Sequence, residues 1–251
     1  MATRSQTSAV LPFKFAQPYK LSCQPVNKYA SSAFRMMNSS PIARRPSRRT
    51  QQERRQLSHQ RMLEAAVALI ARQGSSRTTL SEIGERSGYT HGLVSHRFGS
   101  KGALVRALIE KLQHDFGKSV EPALKGNDGL KALKLMCESY LRAAAEKEWL
   151  AMYALIGEAL GPVPEIRPDL AQADENFRRS IRRHIDEGIR NGEIRAGVDS
   201  QSQSTLIVAT LRGLVIQRLI DPNSFKLDAV IKDATRNLER ALRPAKGVSR
   251  C

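Results

Sequence analysis

Thr79-Leu80-Ser81-Glu82-Ile83-Gly84-Glu85-Arg86-Ser87-Gly88-Tyr89-Thr90-His91-Gly92-Leu93-Val94-Ser95-His96-Arg97-Phe98 is the stretch that decides the fold. Thr79 and Glu82 form a T-x-x-E capping box, which predicts a helix beginning at Leu80. Leu80, Ile83 and, at looser spacing, Ser87 give that helix one buried side. Gly88 can take the left-handed geometry that ends it. Thr90 then serves as N-cap of a second helix with Leu93, Val94 and Phe98 inward. Its outward residues are Thr90, His91, Gly92, Ser95, His96 and Arg97: short, polar or cationic, with no carboxylate. Two short helices around a Gly-containing corner, one with such an outer face, suit entry into a DNA major groove.

The flanking segments complete a small helical head. From Gln51 to Gln73 the spacing Leu63, Ala66, Val67, Ile70 marks one face of a helix; Gly74 is expected to end it, with Ser75-Ser76-Arg77-Thr78 as the link. A fourth helix starts at the Ser100 cap, with Leu104, Leu108 and Leu112 along one side. Lys101 falls in its first turn, where a cation opposes the helix dipole by a few tenths of a kcal/mol. That placement makes sense if a phosphate sits opposite, drawn by the same exposed amides. Glu121-Pro122 and Gly126-Asn127-Asp128-Gly129 are expected to punctuate the end of this unit.

Charge divides the chain in the same way. The formal net charge is +17, and residues 1–55 hold eleven Lys/Arg against the single acid Glu53. Residues 56–113 hold eight against four, and residues 114–251 hold 22 against 19, so the last part is nearly neutral. Positive charge gathered on a tail and a head is the electrostatic footprint of a polyanion binder. Residues 1–50 are rich in Ser, Pro, Gln and Arg and lack periodicity. Four readings of them stay open: a disordered basic extension adding phosphate attraction, a start codon assigned too far upstream with Met36 or Met37 as the alternative, an organelle transit peptide, and a secretory signal, which lacks the apolar stretch it needs.

Beyond the head the pattern is helical throughout. Leu130–Glu146, Glu148–Leu160, Pro168–Arg190, a helix capped by Asp199 or Ser200 and ending near Ile220, and Leu227–Leu242 are predicted as helices. The fold class is therefore all-α, with about nine helices. The expected division is a basic extension over 1–50, a helix-turn-helix domain over 51–116 and a larger helical body over 117–251. Cys23, Cys137 and Cys251 are scattered and suggest no disulfide framework, consistent with a reducing cytoplasm. No apolar run reaches the ~18–20 residues of a membrane span. Leu206–Ile220 is broken by Arg212, Gln217 and Arg218 and reads as core.

Candidate sites in the body are less sharply marked. Tyr140, Trp149, Met152, Tyr153 and Phe177 concentrate its aromatic and soft side chains, and could line a ligand cavity between helices; an ordinary packed core explains each of them as well. Arg178, Arg179, Arg182 and Arg183 lie one turn from Asp174, Glu175, Asp186 and Glu187, as in a salt-bridged solvated face. On the Asp199–Ile220 helix, Leu206, Ala209, Thr210, Gly213 and Leu214 form a small apolar face. The helix is apolar nearly all round, so it is buried on more than one side. His91 and His96 lie ~140° apart around their helix, which excludes a shared metal; His59, His114 and His184 are isolated. No catalytic constellation, phosphate loop or metal-ligand spacing is present, so neither a cofactor nor an enzymatic role is expected.

Thr78, Thr79, Leu80, Glu82, Ile83, Gly88, Gly92, His96, Phe98, Lys101 and Leu104 fall in a pattern that resembles the helix-turn-helix of the tetracycline-repressor (TetR) family. Ser95-His96 in place of the more usual Tyr-His resembles the BetI-like branch. Tyr89 departs from a small aliphatic residue, which is expected to loosen the turn, and Arg97 adds a cation expected to face the DNA backbone. The resemblance implies a homodimer formed by the last two helices as a four-helix bundle, here through Leu206, Ala209, Thr210, Gly213, Leu214, Ile231 and Leu238. Two-fold symmetry would then present two recognition helices to a palindromic operator. Thr79, Lys101 and the basic extension would contact phosphates. Thr90, His91, Leu93, Ser95 and His96 would meet bases, with Gly92 and Arg97 on the same face. The body would bind a small-molecule effector, choline or betaine aldehyde on the BetI-like reading, since quaternary ammonium groups favour aromatic faces. The expected function is a cytoplasmic, ligand-responsive repressor without a membrane partner. The alternatives are a constitutive DNA-architectural protein, or a small-molecule carrier or enzyme that does not bind DNA.

Overall fold

The structure is a computed structural model that describes residues 50–143 and 146–244. The readings of residues 1–49, Cys23 and Cys251 fall outside the described residues. Among the described residues there are nine α-helices and no strand. They are α1 (Gln51–Arg77), α2 (Leu80–Ser87), α3 (His91–Phe98), α4 (Lys101–Leu124), α5 (Gly129–Ala143), α6 (Lys147–Leu160), α7 (Arg167–Arg190), α8 (Ser200–Ile220) and α9 (Leu227–Leu242). A 3-10 turn, Pro164–Ile166, leads into α7.

Helix ends are set by local chemistry. Thr50 and Glu53 cap α1 reciprocally, and Thr79 and Glu82 cap α2 in the same way. Thr90, Ser100 and Asp199 cap α3, α4 and α8 with side-chain oxygens that accept from the first-turn amides. Gly74 does interrupt α1, with φ +79°, but one more helical turn, Ser75–Arg77, follows it where a link was expected. Glu121-Pro122 does not end α4. The helix continues to Leu124 with Pro122 inside its last turn, where the missing N–H costs one bond of the ladder.

Two buried clusters organise the packing. The first joins Met62, Ala66, Ile70, Ile83, Val94, Leu104 and Leu108 from α1–α4 with Ala151, Leu155 and Ala159 of α6. The second gathers Leu133, Met136 and Leu141 of α5 with Ile181, Ile185, Val208, Leu211 and Val215 of α7 and α8. Ile231 and Leu242 of α9 close it. The division expected at residue 116 falls inside α4, whose Leu104–Leu112 belong to the first cluster and Phe116 and Leu124 to the second. The small residues Ala66, Ala151 and Ala159, all at most 3% exposed, allow α1 and α6 to approach closely. The head is thus cored partly by the body. Cys137 is buried in the second cluster, and burial pushes its thiol up to about 12. No helix among the described residues is long and apolar enough to cross a membrane.

Candidate DNA-reading face and body cavity

The corner between α2 and α3 is closed by its main chain. Gly88 takes φ +78°, and the Tyr89 amide donates to Gly84 O at 2.8 Å. A Cβ on Gly84 would lie 2.7 Å from Tyr89 O and 3.1 Å from His91 N, so only glycine lets the two helices meet this closely. Tyr89 does not loosen the turn; its half-buried ring packs against the first cluster. Gly84 was not singled out in the sequence, because its role lies in a contact with the next helix.

On α3, Thr90, His91, Gly92 and His96 are exposed, Leu93 and Ser95 are half-buried, and Val94 is buried. The Thr90 hydroxyl accepts from the Leu93 amide at 3.2 Å, which fixes the start of the helix. Arg97 does not face outward as expected. Its Nη2 donates to Ser58 Oγ on α1 at 3.2 Å, and its Nε is buried without a partner. The reason lies outside α3, since α1 packs alongside and brings Ser58 within reach. Beside it His59 stacks on Phe98, and burial together with the Arg97 charge holds its pKa below the usual histidine value. Thr79 is exposed, with its hydroxyl engaged in the α2 cap. Lys101 Nζ donates to Ser76 O at 3.0 Å, which ties the start of α4 to the end of α1.

The body holds a cavity of about 700 Å³ bounded by α4–α8. Of the five residues expected there, Tyr140, Trp149, Met152 and Phe177 line it. Tyr153 is not part of the lining; its hydroxyl lies 3.1 Å from that of Tyr140, and burial raises its pKa. The sequence reading missed Phe116, whose ring lies edge-on to Tyr140, Trp149 and Phe177 with centroids 5.4–5.9 Å away. It also missed the polar wall. Arg212 of α8 grips both carboxylate oxygens of Asp174 on α7, in place of the solvated pairing expected for Asp174. Burial, which would lower the Arg212 pKa, is more than offset by that carboxylate. Glu175, by contrast, does pair with Arg178 and Arg182 on its own helix. The lining also carries Glu110, Asp115, Glu146 and Glu148, with Asp115 paired to Lys111 as Asp174 is to Arg212.

The outer side of α8 exposes Leu206 (60%), Ile216 (43%) and Ile220 (79%), with Ala209 and Thr210 on the same stripe. Ile216 and Ile220 extend the expected face. Ile231 does not belong to it: at 4% exposure it is core of its own chain. Leu214 and Leu238 are half-buried and lean on the second cluster, and Gly213 is half-buried. Among the described residues no group of His, Cys, Asp and Glu is placed to hold a metal.

A helix-turn-helix with a carboxylate-free outer face, cored against a helical body that encloses a cavity, defines a DNA-binding transcriptional regulator. The sequence profile of bacterial regulatory proteins of the tetR family matches residues 62–108, and that of the BetI-type transcriptional repressor C-terminal region matches residues 130–243. The chain is 27% identical over 187 residues to the HTH-type transcriptional regulator TtgR of Pseudomonas putida, covering 72% of this chain and 88% of that one. It is 31% identical over 103 residues to the HTH-type transcriptional regulator BetI of Yersinia pestis, covering 38% and 52%. A Saccharomonospora viridis protein solved in complex with choline shares the fold, with TM-score 0.64 and 21% identity over 75% of this chain and 98% of that one. The chain belongs to the TetR family of transcriptional regulators, with a BetI-type C-terminal region.

Proposed function

We propose that this regulator binds a two-fold symmetric operator as a homodimer and releases it when an organic cation fills the body cavity. The observation that carries the reading is the exposed polar face Thr90, His91, Gly92 and His96 on a rigidly cornered α3. Leu93 and Ser95 lie at the edge of that face and reach only bases that enter deeply. Thr79 and Lys101 serve the phosphates, and Arg97 supports the face from behind. Residues 51–116 act as the reading head and 117–251 as the sensing and pairing body, with α4 common to both. Leu206, Ala209, Thr210, Gly213, Ile216 and Ile220 form the apolar stripe that a second copy covers. Such a stripe on an otherwise packed helix favours self-association. The relatives are regulators rather than enzymes, and we read this chain, working beside DNA in the cytoplasm, likewise.

The aromatic faces of Phe116, Tyr140, Trp149 and Phe177 favour a cationic effector. Choline and betaine aldehyde are the small members of that class. A cavity of about 700 Å³ lies in the range of drug-sized ligands, so a bulkier lipophilic cation fills it better. Trp149 is the single tryptophan of the chain and lies in the lining, so its emission reports occupancy directly. The test titrates the protein with choline, betaine aldehyde and tetraphenylphosphonium. Trp149 emission is followed alongside anisotropy of a labelled duplex from the region upstream of its own gene. Quenching accompanied by DNA release supports the reading. DNA binding indifferent to all three cations, with no change in emission, counts against a cation effector.

A further inference from the structure

We propose that Glu158 is the positioning residue through which the cavity wall sets the helix-turn-helix, an inference that rests on reading the cavity as the effector site. Helix α6 presents two stripes. Ala151, Leu155 and Ala159, at 0–3% exposure, pack into the first cluster, while Trp149, Met152 and Ile156 line the cavity. One helix is therefore both the wall that a ligand touches and the surface on which the head sits.

At the end of α6 the Glu158 side chain reaches across to the break in α1. Its Oε2 accepts from the Ser75 amide at 2.9 Å and from the Ser75 hydroxyl, and its Oε1 accepts from the Ser76 amide at 3.0 Å. Gly74 makes this possible twice over. Its φ of +79° turns the following amides toward the carboxylate, and a Cβ there would sit 2.6 Å from Glu158 Oε1. A carboxylate in a nest of successive amides is a strong, directional contact. Ser75 itself is only 2% exposed, so its amide has no water to fall back on.

The gripped turn leads straight into the reading head. Ser75 O accepts from the Thr78 amide at 3.1 Å, and Thr78 precedes the Thr79 cap of α2. Ser76 O accepts from Lys101 Nζ at the start of α4. A shift of α6 passes through Glu158 to both ends of the helix-turn-helix, within two hydrogen bonds of each. Buried packing alone would also move the head with α6, but without directing the Ser75–Thr79 turn. What separates the two is whether the head still answers the cavity once the carboxylate is gone.

The experiment compares the full chain with its Glu158→Gln and Glu158→Ala variants, by Trp149 emission and by amide hydrogen exchange resolved along the chain. Without ligand, both variants raise exchange at the Ser75 and Ser76 amides about tenfold. They raise it less in residues 79–98 and leave α5 and α7 unchanged. No rise in residues 75–98, or an equal rise everywhere, overturns the proposal. With tetraphenylphosphonium, the wild-type chain changes both its emission and its exchange in residues 75–98. Glu158→Ala keeps the emission titration within about twofold and loses most of the exchange response. A variant that transmits the full response overturns the proposal. If Trp149 emission never responds in the wild-type chain, the cation reading of the cavity falls, and the ligand-free exchange decides the role of Glu158 alone.

Discussion

Replacing Gly84 by alanine puts a methyl carbon 2.7 Å from Tyr89 O and 3.1 Å from both His91 N and Thr90 C. All three are main-chain atoms of the corner, so none can rotate out of the way. In the middle of α2 the change would otherwise help, since alanine is favoured over glycine in helices by roughly 0.5–1 kcal/mol. Forcing a methyl into a packed site costs about 1–3 kcal/mol, toward the upper end where the neighbours are backbone. The net expectation is a loss of about 1–2 kcal/mol. For a chain of this size that lowers Tm by roughly 3–6 °C. The larger effect falls on function, because the clash is relieved only by opening the angle between α2 and α3. Gly92→Ala is the matched control: its Cβ would meet nothing nearer than Thr90 Oγ1 at 4.0 Å. That variant should be as stable as the parent or slightly more so, yet bind DNA more weakly, because its methyl lies on the face proposed to meet the duplex. Differential scanning calorimetry and anisotropy on a labelled duplex measure the two effects separately. A Gly84→Ala protein with unchanged Tm and DNA affinity would refute the reasoning about the corner. Unchanged affinity in Gly92→Ala would place the duplex on another face.

Two further outcomes follow from the same geometry. Burial raises the Glu158 pKa, but hydrogen bonds from Ser75 and Ser76 outweigh it and hold the carboxyl below its usual range. Its contribution to stability is therefore present above about pH 4.5 and is lost as pH falls through the lower folded value; Glu158→Gln should flatten that acid limb of a Tm–pH profile, and an unchanged limb would contradict the assignment. Leu206→Glu and Ile220→Glu, at positions 60% and 79% exposed in the single chain, should each shift the mass found by light scattering from two chains to one with little change in helicity; a mass of one chain in the parent would remove the dimer.

What could be read from the residues was largely what is local. The Thr79–Glu82 capping box, the left-handed Gly88 and the Ser100 cap each depend on neighbours within a few positions, and each is found as expected. The Thr50–Glu53 box was equally local and went unread because it borders the aperiodic basic tail. Contacts across the fold were not legible. Arg97 lies on the outward side of an isolated α3, and only the passage of α1 beside it turns the guanidinium back to Ser58. Asp174 and Arg212 are 38 residues apart, so Asp174 read as part of a solvated face on its own helix and Arg212 only as a break in an apolar run. Phe116 was missed because the three rings it meets, Tyr140, Trp149 and Phe177, lie on other helices, and its own helix was assigned to the head. Ile231 shows the same limit, since an apolar stripe on α9 says that a side is covered but not whether its own chain or a second copy covers it.

Selection of bound duplexes from a randomised pool tests the central claim most directly. Two α3 faces related by a dyad predict an enriched, two-fold symmetric motif with half-sites separated by about one helical turn, roughly 34–36 Å, or a multiple of it. His91→Ala should change the preferred base at one position in each half-site, whereas Lys101→Ala should weaken binding to all sequences alike. An enriched motif without symmetry, or a pool bound without enrichment, would contradict the account.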